Sequence, residues 1–395
     1  MNAAVVLGNG GSGQAAATLL RRDGWLVRIL DGDDPWPAGA WRLCVTSPGV
    51  PLDHPWQKAA RAAGVPVVSE LQLGAERFRA QGGRMLAVTG SKGKSSVVKL
   101  VADALDGVPC GNYGKPLCAV CMARTLHLKW AVVEVSSFQM ETTRLPPETF
   151  EAAAVLNLQE DHLDRHGSVA VYHGLKRRLL DFARVKIVGT GPGRTTGGDL
   201  DEEQKDLPLF SKSYFDNPIL RDNGLCAVAL LRAAGVDEAA IRAAFIRFDP
   251  LPHRMQTVGV FDGVTWIDDS KATSIAALTA GVTMAASRFS GAAPKVHLSA
   301  GGLPKGDDPR TASASLARWV KRVYLIGQCA TLLENTWKGV VPCVRCGTLE
   351  RAVNAATSAA HEGECLLLSP GAASFDQFRS YGERGDRFAA LGRRA

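Results

Sequence analysis

Short apolar runs alternate with longer amphipathic stretches along most of the chain, the rhythm of strands alternating with helices. Residues 3–7 predict a strand that runs into Gly8-Asn9-Gly10-Gly11-Ser12-Gly13, and residues 14–22 predict the helix that follows. A second strand, Leu26–Leu30, ends on Asp31. This is a βαβ start whose glycine turn either faces a phosphate or only makes a tight turn before a helix. Strand-like runs at 43–47 and 65–68 come next, and "AQGGR", residues 80–84, reads as a linker. The strand Met85–Thr89 opens a second unit, with a helix from Lys94 and further strands at 131–136 and 153–158. "GTGPGRTTGGDLDEEQKD", residues 189–206, is polar and glycine-rich and reads as an exposed loop. Helical runs at 224–234 and 237–247 precede "RFDPLPHR", where two prolines mark a second boundary. Strands at 264–268, 295–299, 323–327 and 364–368 then alternate with helices. The pattern predicts an α/β protein of three consecutive α/β domains, 1–82, 83–249 and 250–395, without a short-period repeat.

Composition narrows the class. The chain has 395 residues, 46% of them hydrophobic. No uncharged apolar run reaches the roughly 18 residues of a membrane span, and "MNAAVVLGNG" lacks the basic start of a secretion signal, so the reading is a soluble, unexported protein. Nine cysteines, an odd and scattered set, fit reduced thiols of a cytosol. Cys118/Cys121 and Cys343/Cys346 have C-x-x-C spacing, but a zinc ribbon brings its second pair within about 15–20 residues. These cysteines are therefore expected to be small buried hydrophobes. The net charge of +7 is spread without basic runs interleaved with aromatics, which indicates no nucleic-acid stripe and suits small anionic substrates.

Candidate chemistry begins at "VTGSKGKSS", residues 88–96. The usual phosphate loop needs a glycine five positions before Gly93, where this chain has Val88, so the loop is shortened. It still follows an apolar strand and opens a helix, and there the N–H groups of Gly90 to Lys94 can point at a phosphate, with the Lys94 ammonium beside them and the Ser95 hydroxyl available to Mg²⁺. A bare glycine turn is the alternative. Glu134, in "VVEVSSFQME", is a carboxylate among valines, costly unless a metal or an arginine pairs it. "NLQEDHLDRH" crowds titratable side chains just beyond a strand's carboxyl end, where open α/β sheets place ligands. His162 and His166 are four apart, yet Leu163 stands where a zinc protease helix needs glutamate.

In this order, T-G-x-x-G-K-S-S, E-x-S-S-F-Q-x-E and E-D-H-x-D-R resemble the Mur ligases, as do "YHGLKRRLL", "LPHRMQTV", "WIDDSKATS" and "LLLSPGAASFDQF…ERGDRF". The resemblance spans nearly the whole chain. It implies a Rossmann-like N-terminal domain for a UDP-sugar, a central ATP-binding domain and a Rossmann-like C-terminal domain bringing the amino acid. The activity it implies is ATP-dependent ligation of glutamate to UDP-N-acetylmuramoyl-L-alanine through an acyl phosphate, a cytoplasmic step of peptidoglycan precursor synthesis. By matching motif, Gly90, Ser91, Lys92, Gly93, Lys94, Ser95 and Ser96 would bind ATP. Ser95 and Glu134 would hold one Mg²⁺ and His162 a second, with Asn112 of "GNYGKP" nearby. Lys176 matches the lysine that the family carries as a carbamate; Lys94, His162 and Lys176 are the implied catalytic set. Asn223, Arg254, Asp269 and Lys271 would contact the nucleotide, and Thr273, Lys305, Ser374 and Tyr381 the incoming glutamate. Gly8, Gly10, Ser12, Gly13 and Asp31 would meet the UDP moiety, and Ser136 and Gln139 the acceptor. The chain departs from the family pattern in the short segment after Gly189, in Tyr381, where an aromatic without a hydroxyl is more usual, and in Leu303-Pro304. A related ligase with another acceptor, such as a folylpolyglutamate synthase, and a nucleotide-binding regulator without activity are the competing readings. A monomer is expected, without nucleic-acid or membrane partners.

Overall fold

The central strands of the three sheets are short, buried apolar runs. The structure, a computed structural model, describes residues 2–123, 128–160, 162–190, 207–211, 213–217, 220–289 and 293–393. The chain forms two compact units, Met1–Phe248 and Asp249–Ala395.

The first unit holds two parallel sheets. Strands β1 (Ala3–Leu7), β2 (Leu26–Leu30), β3 (Leu43–Thr46) and β4 (Val67–Ser69) stand in the order β2-β1-β3-β4, with helices α1 (Gly11–Arg22), α2 (Pro55–Ala62) and α3 (Glu70–Ala80). Ala4–Leu7 are all buried, as a strand covered on both faces requires. The Ser69 hydroxyl accepts the Gln72 N–H and starts α3 directly at the end of β4.

The second sheet contains β5 (Arg84–Thr89), β6 (Val108–Gly111), β7 (Trp130–Glu134), β8 (Phe150–Asn157) and β9 (Ala183–Thr190), in the order β6-β7-β5-β8-β9. Its helices include α4 (Lys94–Ala104), α5 (Leu117–Ala123), α6 (Ser137–Thr142), α7 (Leu163–His166) and α8 (Val169–Arg177). The connection after β5 runs to one side, to β6, and the connection after β8 to the other, to β9, so the topological switch point lies between the carboxyl ends of β5 and β8, where such sheets bind ligands. Leu71 and Phe78 of α3, Leu117 of α5 and Met85 and Ala87 of β5 belong to one buried cluster that joins the two sheets. Each large side chain buried there stabilises by about 1.5–3 kcal/mol. The stretch read as a linker is only the turn at residues 81–83 between α3 and β5.

The second unit is a six-stranded sheet, β10 (Gln256–Phe261), β11 (Val264–Asp268), β12 (Val296–Gly301), β13 (Val320–Ile326), β14 (Cys343–Gly347) and β15 (Cys365–Leu368), in the order β10-β11-β15-β12-β13-β14. Among the described strand pairs of this sheet, only β10–β11 is antiparallel.

Four strands, β6, β9, β10 and β14, escaped the hydrophobic pattern. All are at sheet edges, where half of the side chains face water and charged or glycine positions such as Arg184, Lys186 and Gly259 break the apolar run. Asp262-Gly263, with φ of +49° and +73°, was a readable hairpin turn for β10–β11. All nine cysteines are free. The Cys118 and Cys121 thiols donate to Glu70 O and Gly74 O on α3. Cys343 and Cys346 sit three apart on β14, which puts them on opposite faces of the strand. Most of the polar loop, residues 191–206, and Asp161 lie outside the described residues.

Candidate active site

The loop after β5 turns sharply at Gly93, φ +83°, and α4 begins on Lys94. A Cβ on Gly93 would lie 2.0 Å from Asn223 Nδ2, so the position needs glycine both for its dihedral and for the asparagine packed against it. Asn157, the last residue of β8, clamps the loop. Its side-chain oxygen accepts the Lys92 N–H at 2.8 Å, its amide donates to Lys92 O at 2.9 Å and Asn223 Oδ1 at 3.2 Å, and its carbonyl accepts the Ser91 N–H at 2.9 Å. Ser91 is buried: its hydroxyl donates to Gln159 O at 3.1 Å, accepts the Gln159 N–H at 2.9 Å and lies 3.2 Å from the Tyr172 hydroxyl. Ser95 and Ser96 follow in the first turn of α4, with Ser96 buried.

Two lysines converge here. Lys94 Nζ donates to Gly90 O at 2.8 Å and to Ser91 O at 3.1 Å. Lys176, on α8 and almost fully buried, donates to the same Gly90 O at 2.9 Å, with its Nζ 4.7 Å from the Tyr172 ring centroid. At the end of β7, Glu134 is buried; Oε1 accepts the Asn112 amide at 2.8 Å, while Oε2 has no hydrogen-bond partner among the described residues. His162, in the left-handed conformation at φ +53°, is the N-cap residue just before α7, its ring 5.0 Å from Phe138 and 6.1 Å from Tyr172.

A partnerless oxygen on a buried carboxylate fits a divalent cation, whose charge would repay the desolvation. Among the described residues no three His, Cys, Asp or Glu side chains converge as a metal cage. Such a sparse donor set suits Mg²⁺, which binds through one or two carboxylates plus phosphate oxygens.

Not every sequence candidate is accounted for in the same way. Ser136 and Gln139 bond each other as a reciprocal cap of α6. In the N-terminal sheet, Gly8 has φ +89°, and a Cβ on Gly13 would stand 1.9 Å from Gly8 O, so this turn exists only with glycine at 13. Gly10 caps α1, Ser12 lies in its first turn, and Asp31 accepts the Asn9 amide at 3.3 Å.

In the second unit Asp269 is buried, its carboxylate accepting the Ser369 hydroxyl at 2.8 Å and the Met255 N–H at 3.2 Å, and burial pushes its pKa up to about 7. Lys271 Nζ lies 4.0 Å from the Tyr381 ring centroid; burial, with Arg254 and Lys305 nearby, pulls its pKa down. Lys305 donates to the Thr273 hydroxyl at 3.1 Å, and Ser374 is buried. Arg384, in "ERGDRF", organises this region and is not among the residues the motifs single out. The fully buried Arg384 donates from Nε to Ser270 Oγ at 2.9 Å, from one terminal nitrogen to Ser270 O and Ala372 O at 2.9 and 3.1 Å, and from the other to Ala373 O at 3.4 Å. Burial lowers its pKa only to about 10, so it stays charged near neutrality and ties the segment of Asp269 and Lys271 to that of Ser374. Asn157 and Tyr172 were likewise missed, because what they hold is backbone or a hydroxyl distant in sequence.

A shortened glycine loop between a central parallel strand and a helix, with a lysine over its carbonyls, defines an α/β phosphate-loop protein. Residues 88–189 match the Mur ligase middle domain and residues 253–371 the Mur ligase glutamate ligase domain. The chain belongs to the Mur ligase family. It is 36% identical over 453 aligned positions, covering 98% of this chain and 93% of the relative, to the UDP-N-acetylmuramoylalanine–D-glutamate ligase of Frankia casuarinae. The enzyme of the same name from Acidobacterium capsulatum is 33% identical, with 98% and 95% covered. Among solved structures, UDP-N-acetylmuramate-alanine ligase MurC from Thermotoga maritima shares the fold, with a TM-score of 0.56, 16% identity and 99% of both chains covered. FolC from E. coli aligns with a TM-score of 0.55 and 15% identity over 82% of this chain and 93% of that one.

Proposed function

We propose that the protein joins glutamate, as the D isomer carried in its relatives' names, to UDP-N-acetylmuramoyl-L-alanine at the expense of ATP, a cytoplasmic step of peptidoglycan precursor synthesis. The observation that carries this reading is the likeness, over nearly the whole chain, to ligases named for that reaction. The alanyl carboxylate oxygen bonds to the γ-phosphorus as the β–γ bridge breaks, giving an acyl phosphate and ADP. The glutamate amine then forms the amide C–N bond, losing a proton as phosphate departs. The Gly93 and Lys94 N–H groups and the Lys94 ammonium hold the phosphates, while Asn157, which takes the Ser91 and Lys92 N–H groups, keeps that loop in shape. Ser95, Glu134 and His162 would hold Mg²⁺, which when bound neutralises charge on the transferring phosphoryl group. In the second unit Asp269, Lys271 and Arg254 serve the nucleotide, and Lys305, Thr273 and Ser374 the glutamate carboxylates. Gly8, Gly10, Ser12, Gly13 and Asp31 serve the UDP end, and the protein works as a monomer.

Lys176 acts as a carbamate in this reading. Its ammonium first gives up a proton, the neutral amine then attacks CO₂, an N–C bond forms and a second proton is released, which turns one of two cations meeting at Gly90 O into an anion. The buried position and the shared acceptor support that exchange, because two ammonium groups drawn to one carbonyl oxygen repel each other.

The test is product analysis. The purified protein with ATP, Mg²⁺, UDP-N-acetylmuramoyl-L-alanine and either glutamate enantiomer should release ADP and yield an acceptor heavier by one glutamyl residue, for the D isomer only. Lys94→Ala should do neither. ADP release that depends on a folate in place of the UDP-linked acceptor would overturn the assignment.

A further inference from the structure

Arg165, three residues after His162, reaches from the central sheet's loops to the turn that follows β3 of the N-terminal sheet. Its guanidinium makes a two-point pair with Glu141 of α6, Nε to Oε1 at 3.0 Å and a terminal nitrogen to Oε2 at 2.6 Å. The same terminal nitrogen points at Pro48 O, 3.4 Å away, and Val50 O, 3.3 Å away. Both side chains are largely shielded, Arg165 16% and Glu141 7% exposed, so water does little to weaken the pair. His166 braces Glu141 from behind, with Nδ1 3.4 Å from Oε1 and Nε2 3.0 Å from the Ser137 hydroxyl.

The segment that Arg165 holds is a tight turn, closed by the Val50 N–H on Ser47 O at 3.1 Å. Ser47 is bonded in turn to the carboxyl end of β1: its N–H donates to Leu7 O at 3.0 Å and its hydroxyl to Gly8 O at 3.4 Å. Gly8 begins the glycine turn proposed for the UDP moiety. One guanidinium thus connects α6 and α7, which follow Glu134 and His162 in the chain, to the wall of the acceptor turn.

We infer that Arg165 is a positioning residue for the UDP-linked acceptor: with Glu141 it fixes the Ser47–Val50 turn, and through it the Gly8–Gly13 turn, relative to the phosphate loop. This rests on the acceptor assigned under Proposed function. Lysine cannot reproduce the function, because a point charge lacks the planar fork that meets both carboxylate oxygens and the two carbonyls.

The experiment compares wild type, Arg165→Lys, Glu141→Gln and the double variant, each first shown to melt cooperatively. Initial rates should give a KM for UDP-N-acetylmuramoyl-L-alanine raised about ten-fold or more in each single variant, as expected for losing hydrogen bonds to a charged group. The KM for ATP should stay within about two-fold, and the double variant should be little worse than either single one, because both remove one clamp. Isothermal titration of the acceptor without ATP should weaken in parallel. Amide hydrogen exchange over residues 43–57 should speed up in Arg165→Lys, a readout independent of any substrate. Faster exchange with no ligation by wild type would condemn the acceptor assignment and leave the clamp standing. Unchanged exchange, or ATP and acceptor KM rising together, would overturn the clamp; should Arg165→Lys not fold, Glu141→Gln alone decides by the same readings.

Discussion

Lys176 has the least freedom to be something ordinary. A lysine followed by "RRLL" on a helix is usually solvated, yet this one is buried to 2% exposure and aimed at the carbonyl of Gly90. Replacing it by alanine removes the group proposed to carry the carbamate and leaves a cavity lined by Tyr172 and the loop. Lys176→Ala should lose nearly all ligation rate, and millimolar formate or acetate should restore part of it by placing a carboxylate in the cavity. Full activity, or a dead enzyme that no small carboxylate revives and whose wild-type lysine shows no added mass of CO₂, would refute the carbamate. Glu134 teaches the complementary lesson: its placement among valines announced an unusual carboxylate, but only the fold reveals that one oxygen goes to Asn112 and the other is left open.

At the scale of elements, strands β12 and β13 of the second unit are joined by a polar network. His297 Nδ1 lies 3.0 Å from the Tyr324 hydroxyl and Nε2 3.0 Å from Glu364, which also accepts Lys321 Nζ at 2.5 Å and the His361 N–H at 2.9 Å. Burial by itself would raise the Glu364 carboxyl, but the Lys321, His361 and His297 contacts outweigh it and hold the pKa at about 2. Because the ordinary value is 4.5, the stabilisation is complete above that pH and fades as pH falls toward about 2. Burial lowers the pKa of His297 below 6.5, so its contribution too is present at higher pH and declines on acidification. Thermal melts from about pH 6 to about pH 3 should therefore show a steep fall of Tm in wild type and a shallower one in Glu364→Gln. Parallel curves would mean that this network carries no acid sensitivity. The same scale explains which elements could be read in advance. Fully buried central strands such as β5 and β7 are continuous apolar runs, whereas edge strands carry charge or glycine by design against aggregation.

For the whole molecule, the two units differ in how they can be cut. The second has its own sheet, and a cluster of Trp266, Tyr324, Leu366 and Phe388 is buried within it. Residues 249–395 expressed alone should give a cooperative thermal transition with mixed helix and strand circular dichroism. Residues 1–82 alone should not, because Leu71 and Phe78 find their partners in Leu117 and Met85 beyond the cut. A cooperative melt of the short N-terminal fragment, or none from residues 249–395, would show that the core clusters do not mark the folding units.

Much of this protein is determined by its residue order alone. The βαβ rhythm, the shortened phosphate loop, the buried Glu134 and the ordered motifs that mark a Mur ligase are all local, carried by residues close together in sequence whose chemistry depends on neighbours a few positions away. What only the tertiary structure decided are the long-range contacts: Asn157 gripping Lys92 from 65 positions off, Lys176 meeting Gly90 across 86, and Arg165 reaching Pro48 across 117. Such contacts leave no periodicity, because a hydrogen bond to a backbone carbonyl asks nothing of the side chain on the accepting residue. They become visible only when the fold brings the carboxyl ends of parallel strands together and shows which donor faces which oxygen.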